Sequence, residues 1–175
     1  ALTRKPREDR HSRVEWITGD LDNTSALERL MAGVNAVVHI AGLTNTPDPS
    51  QFHHANVTGT ANVVAAMKHQ RIKRLVFVSS LSAREPELSH YAASKRAGEE
   101  VLVNEAQRVR WLALRPPAVY GPGDTELLPL FRAMSKGVAP VPGAPDARFS
   151  MLFVDDLAAA GQSRDPDVQV IQFDP

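Results

Sequence analysis

The chain contains 175 residues, of which 43% are hydrophobic, and its 20 basic residues balance its 20 acidic ones. This length and apolar content predict one domain with a single core. The neutral balance argues against proteins that bind nucleic acids or anionic membranes, because both carry basic surfaces, and it favours a small molecule as the partner. The absence of cysteine excludes disulfides and thiolate nucleophiles, and it fits a cytoplasmic protein.

The sequence predicts neither a membrane span nor a metal site. The nearly uncharged region 30–67 is interrupted by Asn, His and Thr residues, which a transmembrane helix would not tolerate. Apart from the adjacent His53 and His54, the six histidines are scattered, and none has the spacing typical of metal ligands.

Short β-branched segments alternate with longer segments of helical periodicity. Predicted buried strands cover residues 14–18, 36–40, 75–79 and 111–114, and residues 1–4 look like the end of an earlier strand. One predicted helix begins after Asn23 or Thr24 and ends at Gly33, and others cover residues 51–69, 91–108 and 127–136. In the helix of residues 91–108, an apolar stripe is predicted to dock on the sheet while Glu99 and Glu100 face water; its residues are Ala97, Val101, Leu102 and Ala106. This alternation predicts an α/β fold in which helices flank a parallel sheet.

The sequence changes character after Pro116, where proline and glycine become frequent and the predicted elements become short. A strand is expected near residues 148–153 and a short helix from Asp155. We therefore expect a main domain over residues 1–116 and a small C-terminal lobe over residues 117–175 that is not an independent domain.

Tyr91 and Lys95 lie four residues apart on a predicted helix, which places both side chains on one face, about 5–6 Å apart at Cβ. A free tyrosine has a pKa of about 10, and a nearby ammonium favours its ionised form, as proton transfer to or from a substrate requires. Ser80 ends a strand at its carboxyl edge, where its hydroxyl can hydrogen-bond a reacting oxygen. Together these residues indicate carbonyl/alcohol redox chemistry. The alternative is a solvated helix face and a serine that caps a loop.

Seven short motifs follow one another between Ala1 and Ala160. They are Gly19-Asp-Leu21, His39-Ile-Ala-Gly42, Asn56-Val-Thr-Gly-Thr-Ala-Asn62, Val78-Ser-Ser80, Tyr91 with Lys95, Leu114-Arg-Pro116 with Tyr120-Gly-Pro122, and Val154-Asp-Asp156. In this order they resemble the extended short-chain dehydrogenase/reductase family, often labelled NAD-dependent epimerase/dehydratase. The resemblance implies a Rossmann-like, doubly wound parallel sheet with a small C-terminal lobe that faces the substrate.

The resemblance also implies roles for individual residues. Lys95 would hold the nicotinamide ribose hydroxyls, and Pro116 would lie near the nicotinamide. Asp20 would accept a hydrogen bond from the adenine amino group while Leu21 lines the ring. Asn56 would tie the central strands together or face the cofactor. The alternatives are a turn acid for Asp20 and a polar residue within a helix for Asn56.

Two further pairs of residues are candidates for cofactor binding. Ala41 and Gly42 end a strand, and their lack of bulk lets the backbone approach a cofactor, although a tight turn would need the same residues. Arg4 and Lys5 follow the second strand of the family's fold, where a base accommodates the phosphate of NADP and an acid binds the ribose of NAD. We therefore favour NADP slightly over NAD, although residues 4–13 also have the composition of a solvated charged loop.

The family's fold opens with a central strand and a glycine-rich turn, and neither precedes Ala1. Because a sheet without its central strand would expose apolar faces, we expect a longer protein or a partner that supplies this piece. Family members often pair through their two long helices, so the resemblance implies a homodimer that uses the helix bearing Tyr91.

Three departures from the family bear on the substrate. Ala118 replaces the asparagine that holds a sugar-nucleotide diphosphate, which weakens that interpretation. Leu81 and Ser82 replace the acidic pair of dehydratases, which disfavours elimination. Only ten residues separate Ser80 from Tyr91, which implies a smaller or more open site. The segment that follows Arg115 is more similar to branches acting on hydroxysteroids, flavonoids or other ketones.

These observations leave three hypotheses. The first is an NAD(P)-dependent oxidoreductase in which hydride moves between nicotinamide and a carbonyl or secondary alcohol, with Tyr91 transferring the proton and Ser80 orienting the oxygen. The second is an NAD-dependent epimerase that oxidises its substrate transiently. The third is a non-catalytic dinucleotide-binding accessory protein.

Overall fold

A computed structural model describes residues 1–6, 13–138, 148–162 and 170–172. The strands are β1 Leu2–Thr3, β2 Ile17–Thr18, β3 Val37–His39, β4 Arg74–Val78, β5 Arg110–Arg115, β6 Ala118–Tyr120, β7 Met151–Phe153 and β8 Val170–Gln172. The α-helices are α1 Thr24–Met31, α2 Ser50–His53, α3 Gly59–His69, α4 His90–Glu105, α5 Leu128–Met134 and α6 Val154–Ala160. A π-helical segment, His54–Thr58, joins α2 to α3, and the 3-10 helices Leu81–Arg84 and Pro86–Leu88 precede α4.

All strand pairs in the described part of the chain are parallel. The order β3-β4-β5-β8 forms one sheet, while β1 pairs with β2 and β6 pairs with β7. Val78 is opposite Leu114, so β4 and β5 end at the same edge of the sheet. The predicted α/β fold with a parallel sheet is confirmed.

β3 forms an outer edge of the four-stranded sheet. Within the described ranges, no backbone ladder joins it to the β1–β2 pair. Val38 and Ile40 are 61% and 66% exposed, whereas long apolar side chains on a parallel sheet are normally covered on both faces. The β3 edge therefore exposes apolar side chains that a parallel sheet would normally cover.

The main core lies between the sheet and the three longest helices. Its fully buried side chains include Met67 on α3, Leu102 on α4 and Phe77 on β4. Leu102 and Ala106 belong to the apolar stripe predicted for the Tyr91 helix, and both pack in this core. The stripe therefore anchors α4 against the sheet, as expected from its helical spacing.

The element boundaries differ from the predictions in ways that have local causes. α4 begins at His90 because Ser89 is extended (φ −164°, ψ 157°) and its hydroxyl accepts a hydrogen bond from the Ala92 N–H at 3.0 Å. The strand expected at residues 14–18 is limited to Ile17–Thr18. Most of the charged segment 4–13 lies outside the described residues.

The described part of the segment after Pro116, here called the lobe, contains a small ladder and an aromatic cluster. β6, which the sequence did not predict, pairs with β7. The Tyr120 ring packs on Phe131 of α5 and on Phe153 of β7, with centroids 5.9 Å and 5.4 Å apart. These contacts hold α5 on the ladder. Over the described residues, no helix has the length and apolar character needed to cross a membrane.

Candidate active site

A cleft of about 780 Å³ opens where β4 and β5 end and the C-terminal lobe begins. Five of the ten candidate site residues line it: Gly42, Ser80, Tyr91, Lys95 and Pro116. They come from the loop after β3, the ends of β4 and β5, and α4. Since parallel strands place their carboxyl ends on one edge, the fold brings these distant residues together.

Lys95 lies at the inner wall of the cleft and is only 6% exposed. Its ammonium donates a hydrogen bond to the Val78 carbonyl at 2.7 Å and lies 5.1 Å from the centroid of the Phe77 ring. Burial lowers the pKa of Lys95 to about 8, and the carboxylate of Glu99 opposes this shift. Lys95 is therefore mainly protonated at neutral pH, but it can lose its proton at a pH only slightly higher.

Tyr91 lies one helical turn before Lys95 and lines the same cleft. Its ring packs on the buried Phe52 ring, with centroids 5.9 Å apart at 59°. The Tyr91 carbonyl accepts a hydrogen bond from Ser94 at 2.8 Å. In the part of the chain that the structure describes, its hydroxyl has no hydrogen-bond partner, so it is available to a ligand in the cleft.

Ser80 follows β4 directly and is 9% exposed. Its hydroxyl accepts a hydrogen bond from the Ser82 N–H at 3.2 Å, which caps the 3-10 helix that follows. The oxygen thus has a structural contact and also lines the cleft, where its own proton can be donated. The Leu81 N–H bonds to the Pro116 carbonyl at 2.9 Å, so the ends of β4 and β5 are tied together at this wall.

Asn56 shapes the cleft from behind. Its side chain accepts from the Leu43 N–H at 2.7 Å and donates to the Leu43 carbonyl at 3.0 Å and to Ser94 at 2.9 Å. It lies in the π-helical segment, a form that is common at functional sites. A Cβ built on Gly42 would lie 2.9 Å from Asn56 Oδ1 and 3.8 Å from Lys95 Nζ. This wall of the cleft therefore requires glycine.

His39 is buried beside Lys95 and is neutral. Desolvation, followed by the charge of Lys95, lowers the pKa of His39 to about 4. The Thr60 hydroxyl donates to the Asn56 carbonyl at 2.7 Å, so we assign the 3.1 Å contact between Thr60 and His39 as a bond donated by His39 Nε2–H. The region behind the cleft thus contains one neutral imidazole and one ammonium.

Glu99, which the helical pattern predicted to face water, is 6% exposed, so that prediction was wrong. Its carboxylate receives hydrogen bonds from Arg115 Nε at 2.9 Å and Nη2 at 2.5 Å, and it also binds the Ser79 hydroxyl. These hydrogen bonds, and secondarily the negative charge, raise the pKa of Arg115. Arg115 is therefore occupied with this ion pair. The spacing Tyr91, Lys95, Glu99 was the signal that could have placed Glu99 on the cleft face.

The other candidate residues lie away from the cleft walls. Arg4 and Ala41 are exposed. Asp20 Oδ1 accepts hydrogen bonds from the N–H groups of Asp22 and Asn23, both at 3.0 Å, which is the turn role considered above. Leu21 is half-buried and packs against the core. Arg4 follows β1, and Asp20 and Leu21 follow β2, whereas Ala41 lies between Ile40 and Gly42, which line the cleft.

Apolar side chains form much of the remaining cleft wall. Leu88 and Phe149 are 77% and 65% exposed although both line the cleft, and Leu43 and Leu81 line it more deeply. Arg148 and Glu126 add charge at the lobe side. Among the residues that the structure describes, no cluster of three or more His, Cys, Asp or Glu side chains could hold a metal ion.

Comparison with known proteins shows which family the chain resembles. Residues 1–161 match the NAD dependent epimerase/dehydratase family. The chain is 44% identical to a ceramide reductase of Caulobacter vibrioides over 83% of its own length, and 30% identical to a 2-alkyl-3-oxoalkanoate reductase of Shewanella oneidensis over 84%. It spans 45% of each of these relatives.

The solved structures support the same assignment. MoeE5 in complex with UDP-glucuronic acid and NAD superposes with a TM-score of 0.80 at 25% identity, over 98% of this chain and 66% of that one. This similarity confirms the predicted Rossmann-like fold. The chain belongs to the NAD dependent epimerase/dehydratase family.

Proposed function

We propose that the chain forms the catalytic part of an NAD(P)-dependent oxidoreductase that interconverts a carbonyl and a secondary alcohol on an apolar small molecule. The observation that carries this proposal is the convergence of Ser80, Tyr91 and Lys95 on one cleft. The reductase names of the two relatives agree with it.

The residues around the cleft fit a nicotinamide dinucleotide. Gly42 lines the cleft without a side chain, which lets the loop after β3 pack closely on Asn56 and near Lys95. Pro116 supplies an apolar wall beside it. When bound, the cofactor supplies or accepts the hydride. Lys95 would then hold its ribose hydroxyls, and Asp20 and Leu21 would face the adenine. The backbone at Ala41 would approach the cofactor, and Asn56 would support this loop from behind.

The three catalytic candidates divide the work of proton transfer. Tyr91 gives its phenolic proton to the carbonyl oxygen during reduction and takes it back during oxidation. Lys95, as an ammonium, stabilises the tyrosinate. Ser80 donates a hydrogen bond to the reacting oxygen, which orients it and stabilises its developing negative charge.

The apolar walls favour a substrate with an alkyl or ring system next to the carbonyl. Leu81, Leu88 and Phe149 offer contact area on the substrate side of the cleft, whereas Ala118 cannot hold a diphosphate. Names such as 2-alkyl-3-oxoalkanoate reductase agree with such a substrate. We therefore propose reduction of a ketone as the reaction.

A turnover assay separates the alternatives. We expect aliphatic ketones to be reduced with stoichiometric loss of reduced-nicotinamide absorbance, and kcat/KM to rise about fourfold for each methylene group buried on the apolar wall. An epimerase would invert its substrate with no net absorbance change. Absence of both activities in the protein loaded with dinucleotide would favour the accessory-protein hypothesis.

Cofactor choice gives an independent test. We propose a modest preference for NADP because Arg4 and Lys5 follow β1 and are exposed. In fluorescence titrations, NADPH should bind more tightly than NADH, and the Arg4→Gln/Lys5→Gln variant should lose the difference. Arg74→Gln, at the opposite end of the sheet, is the control. Equal affinities would refute the NADP preference, and negligible binding of both would refute the redox and epimerase hypotheses.

A further inference from the structure

A buried ion pair lies directly behind the cleft. Arg115 and Glu99 form a two-point salt bridge, and Ser79 Oγ donates to Glu99 Oε1 at 2.5 Å. The side chains of Arg115 and Glu99 are 15% and 8% exposed. A carboxylate at this depth is tolerated because its oxygens are occupied by the guanidinium and the hydroxyl.

This network joins three elements whose neighbouring residues form the cleft. Ser79 immediately precedes Ser80 at the end of β4, and Arg115 immediately precedes Pro116 at the end of β5. Glu99 lies on α4, one turn beyond Lys95 and on the same face. Movement of the Glu99 carboxylate would therefore displace the strand ends relative to the helix, and with them the two walls of the cleft.

Glu99 also lies one helical turn from Lys95 on α4 and acts on it through its negative charge. On α4, Lys95 has Tyr91 and Glu99 as ionisable neighbours, and β3 presents His39, which is neutral at pH 7. β5 presents Arg115, whose charge is paired with Glu99. β4 presents the Phe77 ring and a backbone carbonyl. Among these groups, Glu99 is the one that raises the pKa of Lys95 against the effect of burial.

We propose that Glu99 is a positioning residue: its ion pair with Arg115 and its bond with Ser79 fasten α4 to the two strand ends that line the cleft, and its negative charge serves as a more distant counter-ion for Lys95, one helical turn away. Its importance for proton transfer rests on the proposed oxidoreductase function. The counter-ion role does not, because it concerns the protonation of Lys95 in the protein itself.

The test measures the protonation of Lys95 without requiring turnover. Competitive acetylation with acetic anhydride across a pH series, analysed by mass spectrometry, gives the apparent pKa of Lys95, with the exposed Lys68 as internal reference. Glu99→Gln keeps the side-chain size and removes the charge, so Lys95 should lose about tenfold in proton affinity, or about one pKa unit. Glu99→Asp keeps the charge and should retain most of the affinity.

Glu100→Gln is the matched control. Glu100 is the next residue on α4, but it faces solvent and pairs with Arg96 at 3.3 Å, so Lys95 should titrate as in the unmodified protein. If Lys95 titrates at the same pH in the Glu99→Gln and Glu100→Gln variants, the counter-ion role is wrong. A merely structural role would lower thermal stability without shifting this titration.

A second variant guards against misfolding, because Glu99→Gln leaves Arg115 buried without its carboxylate. Glu99→Gln/Arg115→Gln removes both charges, so the apparent pKa of Lys95 should fall by less than in Glu99→Gln, because loss of the positive Arg115 offsets part of the effect; an unchanged value in both variants would overturn the proposal. A shifted Lys95 titration in a protein that reduces no ketone would support the role of Glu99 and contradict only the proposed reaction.

Discussion

Tyr91→Phe should lower kcat for ketone reduction by about 10²–10⁴-fold, because it removes the proposed proton donor and leaves the rest of the cleft intact. The Phe52 contact depends on the ring, which phenylalanine keeps. Dinucleotide affinity should therefore change little. Steady-state kinetics with saturating cofactor, together with a fluorescence titration, measures both quantities.

Tyr120→Phe is the control for this variant. Tyr120 packs on Phe131 and Phe153 in the lobe and does not line the cleft, so losing its hydroxyl should leave kcat within a few-fold of the original. If Tyr91→Phe behaves like Tyr120→Phe in turnover or in cellular function, then Tyr91 is not the acid/base, and the accessory-protein hypothesis gains support.

The parts of the cleft that could be predicted from sequence depend on local geometry. Spacing alone places Tyr91 and Lys95 on one helical face, and the carboxyl ends of adjacent parallel strands bring Ser80 and Pro116 to one edge. Neither inference needs knowledge of distant contacts. For that reason the four residues line one cleft in the structure.

The features that sequence reasoning missed depend on pairings between distant residues. Glu99 is predicted to face solvent because its helical position alone gives it no partner. It is buried because Arg115, 16 residues away, supplies a compensating charge in the interior. The hydrogen bonds between the Asn56 side chain and the Leu43 backbone, 13 residues away, depend on a π-helical segment. Such segments have no periodic signature in a sequence, since they are single-turn departures from an α-helix.

Lys95 destabilises the fold that contains it. Its pKa is lowered from 10.5 to about 8, chiefly by desolvation. Between these values the unfolded chain holds a proton that the folded chain has lost, so the free energy of unfolding rises with pH across this window. At neutral pH, below both values, the shift corresponds to about 3 kcal/mol of lost stability.

Lys95→Met should therefore separate stability from activity. The substitution keeps an unbranched side chain of similar length and removes the buried charge. We expect the free energy of unfolding at neutral pH to rise by about 1–3 kcal/mol. This range allows for the loss of the hydrogen bond to the Val78 carbonyl, which opposes the gain. We expect kcat to fall by about 10²-fold or more, since nothing would then stabilise the Tyr91 tyrosinate.

Chemical denaturation from neutral pH to above pH 10 measures the free energy of unfolding of the unmodified protein and of the Lys95→Met and Lys68→Met variants. The advantage of Lys95→Met should shrink as pH rises through the window that begins at about 8, because the unmodified protein regains its lost stability there. Lys68→Met, on the exposed face of α3, makes the same change in solvent and should show neither effect.

A Lys95→Met protein that is less stable at every pH would mean that the ammonium supports the fold, and the cost assigned to its burial would be wrong. A more stable but inactive protein would instead indicate that the buried charge is retained for its chemistry, as expected where function and stability oppose one another.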